Sequence, residues 1–86
     1  MATPGALQAL ADSGESPGQF IARHARGDWG EVCAEDARLN DEAVKDGSRI
    51  LSAYRTAKGE RIWIITEAAD DSGNRAATTI LLPDEY

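Results

Sequence analysis

The chain has 86 residues, 42% hydrophobic and 28% charged, with 15 acidic and 9 basic side chains for a net charge of −6. That length holds one domain, residues 1–86; a chain of this size buries roughly 60–65% of the surface its unfolded form exposes, which leaves no room for a deep interdomain cleft. The acidic balance weighs against nonspecific nucleic-acid binding, which draws its affinity from Lys and Arg on phosphates, and against an anionic membrane surface. It favours a partner with a basic surface.

Thr3-Pro4-Gly5 opens the first expected helix, with Thr3 as N-cap and Pro4 in the first turn. Leu7, Leu10 and Ala11 follow at i, i+3, i+4 as its expected apolar stripe, and Gly14 is the stop. Ser16-Pro17-Gly18-Gln19 starts the second helix with a capping box, since the Gln19 side chain can return to the Ser16 amide. Phe20, Ile21 and His24 are expected on its inner face, and Gly27 ends it. Both helices are too short to persist alone and must dock on something. Asp28-Trp29-Gly30-Glu31 reads as a third capping box. A polar surface helix is expected over 34–45, with Leu39 and Ala43 turned inward and Gly47 closing it.

From residue 49 the period changes. Segments 49–56, 61–67 and 76–82 are rich in Ile, Leu, Tyr, Trp and Thr, the residues of a pleated surface. Lys58-Gly59 predicts a tight hairpin, and Asp70–Asn74 a longer turn. Pro83 ends the last strand. The expected fold is α+β: a helical half over about 3–46 packed on a three-stranded antiparallel β-meander over about 49–82. The middle strand is apolar on both faces, so Trp63 and Ile64 should both be largely buried. The face turned away from the helices needs a cover: a terminus, the third helix or another subunit.

Cys33 is the single cysteine, so no internal disulfide or multi-cysteine zinc site can form, which fits a reducing compartment. It is expected to be a small, half-buried hydrophobe. No basic start followed by an apolar run opens the chain, and Ile62–Ile65 and Ile80–Leu82 are too short to span a bilayer. The expectation is a cytoplasmic protein without membrane contact.

Arg23–Glu31, Leu51–Tyr54, Trp63–Glu67 and Thr78–Tyr86 resemble a group of short bacterial proteins labelled plasmid-related and encoded on mobile elements. The likeness extends over nearly the whole chain. It implies a mobile-element setting and assigns no activity.

His24 is the only histidine, between Arg23 and Arg26 in the last turn of the second helix, where a cation interacts favourably with the helix dipole. On that reading His24→Gln leaves the fold intact. A catalytic histidine needs a nucleophile and an orienting carboxylate; His24, Asp28 and Trp29 are the weak polar-site candidates, and His24, Cys33 and scattered acids lack a recognised metal spacing. No catalytic, cofactor-binding or metal-binding residue is assigned. The remaining signal is acidic: Glu31, Glu35, Asp36, Asp41, Glu42 and Asp46, a solvated face or, in a sharper form, an interaction face that imitates nucleic-acid phosphates. The functional expectation is a noncatalytic protein-interaction module of a mobile element, acting against a host defence or as a nucleic-acid mimic. The alternative is a small helix-turn-helix-like DNA-binding regulator, with Arg49, Arg55, Lys58 and Arg61 on its wing.

Overall fold

Three helices precede three strands in the computed structural model, which describes residues 1–86. They are α1 (Pro4–Ser13), α2 (Pro17–Ala25) and α3 (Ala34–Asp46), then β1 (Ile50–Arg55), β2 (Arg61–Thr66) and β3 (Thr78–Leu81), with a 3₁₀ turn at Pro83–Glu85. The chain therefore adopts the expected α+β arrangement, and the sheet is an antiparallel meander in the order β1-β2-β3. No helix is long and apolar enough to cross a membrane.

Local signals set the helix ends. Thr3 Oγ1 accepts the Ala6 amide at 3.2 Å, and Gly14 takes the left-handed conformation (φ 70°) that ends α1. The Ser16 amide donates to Gln19 Oε1 at 3.4 Å, so the capping box forms. The rotation of α1 differs from the expected stripe. Ala6, Ala9 and Leu10 are buried while Leu7 is exposed. The cause lies upstream: Ile80 donates to the Met1 carbonyl at 2.8 Å, and Thr3 donates to the Ile80 carbonyl at 3.0 Å. This pairing with β3 sets the helix on its alanine side, where small residues permit close approach.

The segment after α2 corrects the reading of a third capping box. Asp28 Oδ1 accepts the Gly30 amide at 3.2 Å, and the backbone then pairs with the edge of β1. Ala53 donates to the Trp29 carbonyl at 3.1 Å, and the Glu31 amide donates to the Ala53 carbonyl at 2.6 Å. Gly30 stands at φ 73°, and a Cβ there would collide with the Ala53 carbonyl and the Tyr54 ring. Its role is close backbone approach. Cys33 is exposed rather than half-buried, and serves as the N-cap of α3 by accepting the Asp36 amide through Sγ at 3.4 Å.

The inner face of α3 also differs from expectation. Ala43 is buried, but Leu39 is 49% exposed and Asn40 takes the inward position. Asn40 Nδ2 donates to the Leu51 carbonyl at 2.7 Å, and its Oδ1 accepts the Leu51 amide at 3.2 Å. A side-chain amide thus occupies the place of a neighbouring strand. With Met1–Thr3 on β3, and Asn40 and Trp29–Glu31 on β1, both sheet edges are occupied, which removes the usual template for edge-to-edge pairing.

Both turns form as read. Thr56 donates to the Glu60 carbonyl at 2.8 Å across the hairpin, and Asp70 Oδ1 accepts the Ser72 and Asn74 amides at 2.9 and 3.0 Å. Strand alternation sends Tyr54, Ile62, Ile64 and Ile80 into one cluster with Ala6, Ala9, Leu10 and Phe20. On the opposite face Ile65 and Leu81 are buried, whereas Trp63 is only half-buried. The cover there is the C-terminal turn, which lays Tyr86 edge-on to Trp63 at 5.9 Å between ring centres.

Candidate functional site

Along the helix-facing side of the sheet, the cross-strand rows pass from Tyr54–Ile62, through Ser52–Ile64–Ile80, to Ile50–Thr66–Thr78. The side chains change from apolar to hydroxyl-bearing in that direction, and His24 sits over the hydroxyl end.

His24 lies in the last turn of α2, as its position in the sequence implies, but its ring turns inward and the residue is only 8% exposed. Nδ1 is hydrogen-bonded to Ser52 Oγ. Nε2 lies 2.7 Å from Thr66 Oγ1, which is 3.0 Å from Thr78 Oγ1. A neutral imidazole presents one donor and one acceptor, which two hydroxyls can match. Burial, and then the nearby Arg75 charge, hold the His24 pKa below the ordinary histidine value. The expected helix-terminal cation is therefore overturned: this histidine is a buried, neutral bridge between β1 and β2. Ser52 and His24 have the contact of a nucleophile–base pair, yet Ser52 is 0% exposed, so a reacting carbonyl has no approach to its hydroxyl.

Arg23, half-buried, is the ion-paired cation of that turn. It pairs with Asp28 at 2.7 Å and lies over the Tyr54 ring at 4.6 Å. The hydrogen bond from Arg23 lowers the Asp28 pKa, and the Asp28 carbonyl accepts the Tyr54 hydroxyl at 2.6 Å. Trp29 is buried, edge-on to His24 at 5.7 Å between ring centres, and its indole donates to Asp41 Oδ1 at 2.9 Å. The three polar candidates thus gather at one end of α2. His24 meets Trp29 and the strand hydroxyls, while the Asp28 carboxylate turns to Arg23. No three His, Cys, Asp or Glu side chains converge as a metal site.

Beside this network a groove of about 860 Å³ runs between the end of α2, one flank of α3 and the strand ends at Ile50, Thr66 and Thr78. Ile21 and Val44 expose apolar surface on its walls. Arg26, Lys45 and Arg75 bring positive charge to it. Arg75 is fixed by donating to the carbonyls of Ala43, Ser48 and Glu67 at 2.9, 2.8 and 3.0 Å. Sequence reasoning missed this groove because its residues are scattered along the chain. A lone arginine directly after the Asp70–Asn74 turn was the one local hint.

The six acidic candidates do not share one face. Glu31 pairs with Arg55 at 3.1 Å on the sheet edge, Asp41 holds Trp29 beside the groove, and Asp46 accepts the Ser48 amide at 2.8 Å. Glu42 pairs with Arg38 at 3.1 Å. On α3 the helical period aligns Glu35, Glu42 and Asp46 on one outward stripe with exposed Leu39, and Asp36 flanks it nearer the N-cap. Comparisons with family models, curated proteins and solved structures gave no match.

Proposed function

We propose that the protein is a noncatalytic interaction module that binds a basic protein surface through the outward stripe of α3. The observation that carries this reading is Leu39, 49% exposed and framed by Glu35, Glu42 and Asp46. An apolar centre within a charged rim is the anatomy of a protein–protein contact, and the carboxylates would steer a cationic partner to it. With Glu31 and Asp41 turned elsewhere, the stripe offers less support for a phosphate-mimicking run than for a compact protein contact. The resemblance to plasmid-related proteins adds a mobile-element setting to the proposal.

A photocrosslinking residue at position 39, expressed in the native host, tests it. The expected adduct is a protein with a basic surface. Combined Glu35→Lys, Glu42→Lys and Asp46→Lys substitutions should abolish the adduct, and added salt should weaken it. An adduct that survives charge reversal, or a tight sequence-selective shift of duplex DNA by the wild type, would overturn the proposal.

A further inference from the structure

The groove beside His24 carries a charge opposite to that of the whole molecule. The three ion pairs of the protein use Arg23, Arg38 and Arg55, so Arg26, Lys45 and Arg75 on the groove have no carboxylate partner. The one carboxylate on its wall, Asp41, already accepts the Trp29 indole. Three cations without a direct ion pair, and the Met1 ammonium, which donates to the Thr78 carbonyl at 2.9 Å, therefore border a trough in a chain of net charge −6. Asp28 and Asp46 act on Arg26 and Arg75 only from a distance, and Met1, Ile21, Val44 and Ile50 are among the trough's apolar lining. Arg75 gives three of its five N–H donors to backbone carbonyls and contributes mainly its field. Arg26 and Lys45 make no side-chain hydrogen bond and keep their donors free.

We propose that this groove binds a small amphipathic carboxylate, with its apolar body on Ile21, Val44 and Ile50 and its anionic head at Arg26 and Lys45. Two observations select a small ligand over an extended peptide. The volume of about 860 Å³ lies within the range of small-molecule sites, about 300–1,000 Å³. Both sheet edges are already paired, by Met1–Thr3 on one side and by Asn40 and Trp29–Glu31 on the other, so recognition by strand addition has no free edge. Charge complementarity selects an anion, and the exposed Val44 (58%) selects one with an apolar body. The site is separate from the stripe at Leu39, which points to another side of α3.

Trp29 borders the groove while Trp63 lies on the opposite face of the sheet, so Trp63→Phe leaves a single reporter at the site. Dodecanoate, kept below its micelle concentration, should change Trp29 emission saturably with one site per chain. Acetate and dodecyltrimethylammonium should give no saturable change. Combined Arg26→Glu and Lys45→Glu should weaken dodecanoate binding about tenfold or more, through loss of charge-assisted hydrogen bonds, and Val44→Glu should do the same from the apolar side. Both changes lie at exposed positions, and an unaltered thermal melt verifies folding. Glu35→Lys with Glu42→Lys, on another side of α3, should not weaken dodecanoate binding. Equal binding of the cationic and anionic amphiphiles, or affinity unchanged by the Arg26 and Lys45 reversals, would overturn the proposal.

Discussion

The two ends of the helix-facing sheet surface are held by different forces. At one end, α1 and Phe20 of α2 press Ala6, Ala9 and Leu10 onto Ile62, Ile64, Ile80 and Tyr54, a contact made almost wholly of hydrocarbon. At the other, only Trp29, Ala43 and Ile50 form a small apolar cluster. There the attachments are directional: Asn40 on the Leu51 backbone, His24 between Ser52 and Thr66, and Arg75 on three carbonyls. Apolar burial is non-directional and tolerates small shifts. Hydrogen bonds add less net stability, but a buried one is costly to leave unmade. The polar end should therefore be more specific in geometry and weaker as a clamp, and it is the end where the groove opens.

Truncation in the apolar end should have the largest effect. Ile64 is 0% exposed, and Ile64→Ala should cost about 2–4 kcal/mol in a urea unfolding experiment. A loss under about 1 kcal/mol would show that the hydrocarbon contact is not the main clamp.

Next comes the histidine, and here the expectation drawn from sequence reverses. His24→Gln offers one amide where the ring joined two hydroxyls, and should cost about 1–3 kcal/mol. It should also change the response to acid. Because the folded state holds the His24 pKa below the ordinary value, its contribution is complete above about pH 6.5. As pH falls from there toward the depressed folded value, the unfolded chain takes up the proton first, and stability drops by up to about 1.4 kcal/mol per pH unit. Asp28 and Asp46, whose pKa values are lowered by hydrogen bonds, add their losses only below about pH 4. Urea midpoints from pH 7.5 to 5 should slope for the wild type and flatten for His24→Gln; parallel slopes would show that the ring is not the titrating bridge.

Asn40→Ala should act more locally. It leaves the Leu51 amide and carbonyl without partners, at about 1–2 kcal/mol, and should raise hydrogen exchange in α3 more than in α1. Uniform acceleration across the chain would show that the two ends unfold as one unit. The smallest effect should come from Leu39→Ser, within about 0.5 kcal/mol of wild type, because that half-exposed side chain belongs to neither apolar cluster. A larger loss in the melt would mean that Leu39 belongs to the core and not to an interaction face.

The sequence by itself determined what short-range chemistry determines. Thr3, Ser16 and Gly14 marked helix ends, Lys58-Gly59 and Asp70–Asn74 marked turns, and the change of period after residue 48 separated helices from strands. Those features depend on the backbone within a few residues, so the α+β order could be read directly. The tertiary structure decided which side of each element faces inward. Ala6, Ala9 and Leu10 satisfy a helical stripe as well as Leu7, Leu10 and Ala11, and long-range contacts, among them the pairing of Met1–Thr3 with Ile80 and of Thr3 with Glu85, go with the first. Asn40 in place of Leu39, and a buried His24 in place of a surface cation, depended on partners 11 to 42 residues away. A polar residue is inexpensive to bury only where complementary groups already wait, and residues such as Ser52, Thr66 and Leu51 meet their partners only once the sheet has formed. For the same reason the groove, assembled from Ile21, Arg26, Val44, Lys45, Ile50 and Arg75, exists only in the folded chain.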